Sequence, residues 1–205
     1  ARKAAGPDID IMIDFHGRTS AAMAIKYAKV LEPFKPLFLE EVVPPDQIES
    51  LKVARAGINV PIASGERWLH RTEFLPYLQA GLIDVAQPDV CHAGGVTEIR
   101  RISALCESYG VSMAPHNPLG PIATMVNVHL GLTTPNFLIQ EVMRSDVSWR
   151  NEVFHGVPDI KDGYIYPPEK PGIGVEIDEK EAVKHPFTGG APVQWFHSDG
   201  SVADW

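Results

Sequence analysis

The chain alternates short apolar runs that end on a polar residue with longer stretches whose apolar positions recur every three to four residues. The apolar runs cover 9–14, 37–41, 61–66, 84–89, 111–116 and 137–141 and read as strands. The stretches between them, 20–31, 46–56, 71–80, 96–109 and 119–130, read as helices. Gly57, Gly81 and Gly110 follow three of these, where a helix end favours a left-handed residue. Such alternation predicts βαβ units, with parallel strands joined by right-handed crossovers. From about Arg144 the pattern stops. The remainder is rich in Pro, Gly, Trp and His, with strand-like pieces only at 163–166 and 174–177. The expected organisation is six βα-type units over residues 1–143 and an extension over residues 144–205 that packs on these units or on a domain capping them.

One polar, ionisable residue stands at or near the end of each strand: Asp14, Glu40, Glu66, Asp89, His116 and Glu141. Their separations of 26, 26, 23, 27 and 25 residues are each the length of one βα unit. A functional group at every C-terminal strand end is the layout of a (β/α)8 TIM barrel. An open doubly wound sheet instead gathers its ligand at one switch point. The expected fold class is therefore α/β, of TIM-barrel type.

The first three of these residues are carboxylates on consecutive strands. Neighbouring strands lie about 4.8 Å apart, so three such groups converge on one point. Oxygen-only ligation selects a hard cation, Mg²⁺ by default, and without a cation the three acids repel and raise one another's pKa. Taken singly, each is equally readable as a helix cap or a surface ion-pair partner. His16 lies two residues beyond Asp14, and strand alternation points both the same way. Arg18 follows them if the extended conformation persists past Gly17. His116 sits between Pro115 and Pro118, which restrict its backbone, and Asp89 one strand earlier is placed to orient its ring as a general base. Spacing alone leaves open an unrelated His and Asp in two loops. His70 and His129 fall on helices and His155, His185 and His197 in the tail, where ordinary structural roles are expected. His92 is expected to have an ordinary role too, with the edge of the site, just beyond Asp89, as the alternative, and Gly94-Gly95 is only a weak anion-binding signal.

Composition narrows the classes. Of 205 residues, 44% are apolar and 21% charged, which excludes wholesale disorder. No apolar run reaches the about 18 residues of a membrane helix, and no signal-peptide h-region opens the chain. The net charge of −8 disfavours nucleic acid as a partner. It also means that an anionic small molecule needs a local cation to bind. Two cysteines, Cys91 and Cys106, make no disulfide framework and suit a reducing, cytoplasmic setting.

At these residues the sequence resembles the enolase superfamily. The likeness is to the mandelate racemase subgroup, and within it to acid-sugar dehydratases of the galactonate dehydratase type. The matching segments are Asp14-Phe15-His16-Gly17-Arg18, Phe38-Leu39-Glu40-Glu41, Ala63-Ser64-Gly65-Glu66-Arg67, Gln87-Pro88-Asp89, Ala114-Pro115-His116-Asn117-Pro118-Leu119-Gly120-Pro121 and Gln140-Glu141, with Lys170 to Ile177 in the tail. The resemblance implies Mg²⁺ on Asp14, Glu40 and Glu66. It makes His116, paired with Asp89, the base that removes the proton α to a carboxylate. His16 becomes the acid that assists loss of the 3-hydroxyl, and Glu141 a hydrogen-bond partner of the substrate carboxylate. The implied product is a 2-keto-3-deoxy acid made from a small anionic sugar acid, with a homo-oligomer as the expected assembly. A racemase or epimerase using His16 and His116 as opposed bases shares the first step, and a non-catalytic fragment is the third reading. In this family the first ligand ends the third barrel strand. The first two strands and the N-terminal capping domain are accordingly expected to be missing from this chain.

Overall fold

The computed structural model describes residues 1–144, 147–189 and 195–203. After a short helix α1 (Arg2–Ala5), five parallel strands alternate with helices: β1 (Ile13–Asp14), α2 (Ala21–Leu31), β2 (Leu39–Glu40), α3 (Ile48–Arg55), β3 (Ile62–Ser64), α4 (Arg71–Gln79), β4 (Val85–Ala86), α5 (Gly95–Ser108), β5 (Ser112–Met113) and α6 (Pro121–Gly131). The sheet order is β1-β2-β3-β4-β5, with Asp14 level with Glu40 and Glu40 level with Ala63. Sequential order with a helix after every strand is the barrel-type arrangement that the spacing predicts.

Burial of both faces explains the apolar runs of the inner strands β3 and β4, whereas β1 at the sheet edge is only partly buried. Leu39, Ile62, Ala86 and Met113 join Phe74, Ile99 and Ile102 in the large core under the helices. Phe38, Ala63, Val85 and Ala114 form a second, smaller cluster. Glu40 is two residues beyond Phe38 and therefore shares the smaller cluster's face. A cavity of about 190 Å³ opens there, lined by Met12, Phe38, Glu40, Gln87, Ala114 and Glu141 among others. Packing against the helices thus leaves the opposite face to carry chemistry. Arg55 locks α3 to the start of β4 through Asp84 at 2.6 and 3.0 Å, and Asp84 also accepts the Ile62 N–H at 2.8 Å.

Three local expectations are corrected. The run 137–141 is not a full strand but makes one parallel bridge, Met113 to Phe137. Asn136 O accepts the Met113 N–H and Met113 O accepts the Leu138 N–H, both at 2.8 Å. The next rung of a parallel ladder needs an N–H from Pro115, which has none. Gly57 does not close its helix in the left-handed region, whereas Gly81 and Gly110 do, at φ 63° and 70°. A Cβ on Gly57 would lie 2.9 Å from Ile25, so close helix packing demands the glycine. Arg18 does not continue an extended strand: its N–H donates to Phe15 O at 3.0 Å, closing a turn in which His16 has φ 52°.

Beyond α6 come α7 (Arg150–Val153), β6 (Phe154–His155), β7 (Asp159–Lys161), β8 (Tyr164–Tyr166), β9 (Glu176–Ile177), α8 (Glu179–Ala182), β10 (Trp195–Phe196) and β11 (Val202–Ala203). These strands pair antiparallel in twos, β6 with β9, β7 with β8 and β10 with β11. Both strand-like pieces expected in the tail are present. Among the described residues no helix is long and apolar enough to cross a membrane.

Gly65, at the end of β3, has φ 133°, and a Cβ there would meet Phe74 at 2.6 Å and the Gln87 N–H nitrogen at 3.2 Å. Phe74 is fully buried, so it has no room to move. Gly65→Ala is expected to cost about 2–4 kcal/mol, from backbone strain plus overpacking. A denaturant midpoint equal to that of the parent would refute this.

Candidate active site

Each strand end delivers its residue to one place. Asp14 ends β1, Glu40 ends β2 and Glu66 follows the Gly65 turn after β3. Ligand-capable oxygens of the three carboxylates lie within 4.8 Å of one another. Burial pushes the Asp14 carboxyl above its usual range, against the opposing pull of the His16 N–H. Burial, together with the Asp14, Glu66 and Glu141 carboxylates, pushes Glu40 up to about 8 although a Gln87 hydrogen bond resists. Three acids held this close are short of positive charge. With no nitrogen or sulfur donor in the trio, the set fits a hard divalent cation.

Asp89, in the loop after β4, is fully buried. Its Oδ2 lies 2.8 Å from His116 Nδ1, and its Oδ1 accepts the Cys91 N–H at 2.7 Å. Burial opposes the Asp89 charge, but the His116 and Cys91 hydrogen bonds outweigh it and hold the carboxyl below its usual range. His116, 15% exposed, turns Nε2 toward Glu66 Oε2 at 3.5 Å. Burial works against its charge too, yet Asp89, Glu66 and Glu141 together raise its pKa. One ring nitrogen is thus fixed on a buried carboxylate while the other opens onto the acidic trio. That is the geometry of an oriented proton acceptor.

His16 reaches the trio by a route that strand alternation does not foresee. Its backbone turns left-handed, its N–H donates to Asp14 Oδ1 at 2.7 Å, and its ring bends back to pair with Asp14 Oδ2. Glu141 Oε2 accepts the Asn117 N–H at 2.6 Å, and Asn117 Nδ2 donates to Glu141 O at 3.0 Å and to Thr124 Oγ1 at 2.8 Å. The seven expected site residues therefore form one cluster: the carboxylate trio, His16 on Asp14, His116 between Glu66 and Asp89, and Glu141 beside Glu40 on the cavity wall. His92 joins its edge, with Nδ1 3.8 Å from Asp89 and its ring 6.2 Å from that of His116.

Four contributors are not singled out by the sequence pattern: Gln87, Asn117, Glu41 and Arg67. Gln87 and Asn117 are buried and carry no charge to mark them. Glu41 is buried with φ 40° and pairs with Arg67. The doublet Glu40-Glu41 and the pair Glu66-Arg67 were the available signal. Three of the remaining histidines make local structural contacts. His70 caps α4, with Nδ1 accepting from the Thr72 N–H, His155 lies 3.7 Å from Asp178, and His185 stacks on Trp149. Cys91 is an exposed free thiol, and burial pushes the free Cys106 thiol up to about 12.

The titrations give a stability test with a definite sign. Without a cation, Glu40 keeps in the folded state a proton that the unfolded chain releases near pH 4.3. That contribution is present at low pH and lost as pH rises through about 8. His116, also raised, loses its contribution in the same direction, as pH climbs past its folded pKa. Asp89, held low, loses its own only as pH falls below the carboxylate range. Chelator-treated protein is therefore expected to be less stable at pH 8.5 than at pH 6, and a divalent cation should restore the loss. Identical urea midpoints at both pH values would contradict the raised Glu40 carboxyl.

Residues 1–181 match the family described as enolase C-terminal domain-like. The D-galactonate dehydratases of Xanthomonas oryzae pv. oryzae and Cronobacter sakazakii are 44% and 43% identical to the chain across all of it. The chain spans 56% of each of these relatives. A solved mandelate racemase/muconate lactonizing enzyme from Jannaschia sp. CCS1 has a TM-score of 0.86 and 35% identity, covering 93% of this chain and 48% of its own. An enolase from Pantoea ananatis, solved with bound d-gluconate and Mg, has a TM-score of 0.82 and 38% identity, covering 89% and 44%.

Proposed function

The chain belongs to the enolase C-terminal domain-like family, and from that premise we propose that it carries the metal and proton-transfer centre of a sugar-acid dehydratase acting on a galactonate-like acid. The observation that carries this reading is the His116 ring, bonded through Nδ1 to buried Asp89 and open through Nε2 toward the Asp14–Glu40–Glu66 trio. In this reading Asp14, Glu40 and Glu66 hold Mg²⁺. When bound, the ion neutralises the substrate carboxylate and the negative charge that develops on it as the α-proton leaves.

His116 Nε2 takes the proton α to the carboxylate, and Asp89 stabilises the imidazolium that forms. Glu141, its carboxyl held by the Asn117 N–H, sets the orientation of the substrate carboxylate. His16 donates a proton to the departing 3-hydroxyl, and the resulting enol tautomerises to the 2-keto-3-deoxy acid. Residues 1–143 carry these groups, with residues 144–205 as an extension of the unit. A cytoplasmic homo-oligomer completes the reading.

The test is a panel of aldonic and aldaric acids incubated with Mg²⁺ in D₂O and assayed for 2-keto acid. Keto-acid formation from a galactonate-like member supports the dehydratase. Deuterium at C2 without keto acid would instead assign a racemase or epimerase, and neither product would leave a non-catalytic binding unit.

A further inference from the structure

Each member of the acidic trio has a near neighbour in sequence that belongs to a second set of contacts: His16 beyond Asp14, Glu41 beyond Glu40 and Arg67 beyond Glu66. Arg67 donates through Nε to Glu41 Oε2 at 3.0 Å and Oε1 at 3.3 Å, and Nη2 also pairs with Oε2. The same Nη2 donates to the His16 carbonyl at 3.0 Å. Glu41 answers from its backbone, where its carbonyl accepts the Gly17 N–H at 2.7 Å. The left-handed turn that aims His16 is therefore pinned on both sides of the His16–Gly17 peptide by residues of the next two strand ends. Gly17 makes room for this. A Cβ there would lie 2.4 Å from Arg67 Nη2 and 3.3 Å from Pro44 Cα. The base side of the site has a separate support in Asp89 and the Cys91 N–H.

We propose that Arg67 and Glu41 are positioning residues that set His16, so that they govern loss of the hydroxyl and not removal of the α-proton. The inference rests on the dehydratase reading for its catalytic consequence. Its structural part stands on the contacts alone. Without the guanidinium the His16 turn loses its carbonyl restraint, and Glu41 is left as a buried carboxylate without its cation. The imidazole that donates to the leaving hydroxyl then drifts, whereas His116 stays on Asp89. Misplacement of an acid without misplacement of the base uncouples two halves of one reaction.

The experiment uses the whole protein with Arg67→Met, Arg67→Lys and the apolar pair Glu41→Met/Arg67→Met, the last chosen because it removes both charges and keeps the fold testable. At saturating Mg²⁺ in D₂O, with the aldonic acid that the parent dehydrates, keto-acid formation and deuterium at C2 of recovered substrate are measured together. Arg67→Met is expected to lower keto-acid formation by about 10–100-fold and to raise the ratio of C2 exchange to product by a similar factor. Arg67→Lys, with the charge but one point of attachment, should fall between. Hydrogen exchange of the metal-free protein gives a readout apart from activity: segment 15–18 should exchange faster in Arg67→Met while the Cys91 amide is unchanged. A ratio equal to the parent's, with exchange and product falling together, would overturn the inference, as would unaltered protection of segment 15–18. Absence of both products in the parent would reject the dehydratase reading instead, and hydrogen exchange alone would then decide the clamp.

Discussion

His116→Asn is expected to lower α-proton removal by about 10²–10⁴-fold, the usual contribution of a positioned general base. Asparagine keeps a polar group near Asp89, so the buried carboxylate retains a hydrogen-bond partner, but it has no basic nitrogen to present at the trio. Both the keto acid and the C2 deuterium signal should disappear together, because the step they share is lost. Mg²⁺ affinity should change little, since His116 supplies no oxygen ligand and its closest trio contact is 3.5 Å to Glu66. Stopped assays of keto acid and calorimetric Mg²⁺ titration of the same sample separate the two effects. Turnover close to the parent's would remove His116 from the mechanism. The contrast with Arg67→Met is diagnostic, because there exchange should survive while elimination does not.

Glu66→Gln is expected to weaken Mg²⁺ binding by at least about 100-fold, since loss even of a residue behind the ligands typically costs 10–100-fold. The change removes one of three negative charges and leaves a donor N–H₂ facing the site. Turnover should fall with the metal and return only partly at high Mg²⁺. The same replacement has an opposite effect on the metal-free protein. With one carboxylate gone, the repulsion that helps push Glu40 up to about 8 is relieved, so the fall in stability between pH 6 and pH 8.5 should shrink. A variant that binds Mg²⁺ as the parent does would show that Glu66 is not a ligand.

These expectations come from residues that differ in how visible they are along the chain. The six strand-end groups are legible because a βα unit has a nearly constant length. A polar residue that closes an apolar run every 25 residues or so is then brought to one edge of the sheet, whatever the loops do. His116 and Asp89 gain from the same regularity, as β4 and β5 are adjacent and in register. Asn117 and Gln87 are harder to see, because an uncharged amide beside a strand is common in any loop. Glu41 is harder still: it looks like a duplicate of Glu40, yet strand alternation and a left-handed backbone turn it away from the trio and onto Arg67.

By itself the sequence determines the parallel α/β organisation, the order of the groups along the sheet edge and the chemistry of their donors, since all three follow from periodicity and residue type. The tertiary structure alone decides that His16 bends back in a left-handed turn and that Gly57 serves packing against Ile25 and not a helix cap. Both depend on an atom supplied by a segment distant in sequence: the Arg67 guanidinium and the Ile25 side chain. Local propensity sets what a short segment favours, and contacts between segments distant in sequence choose among those options.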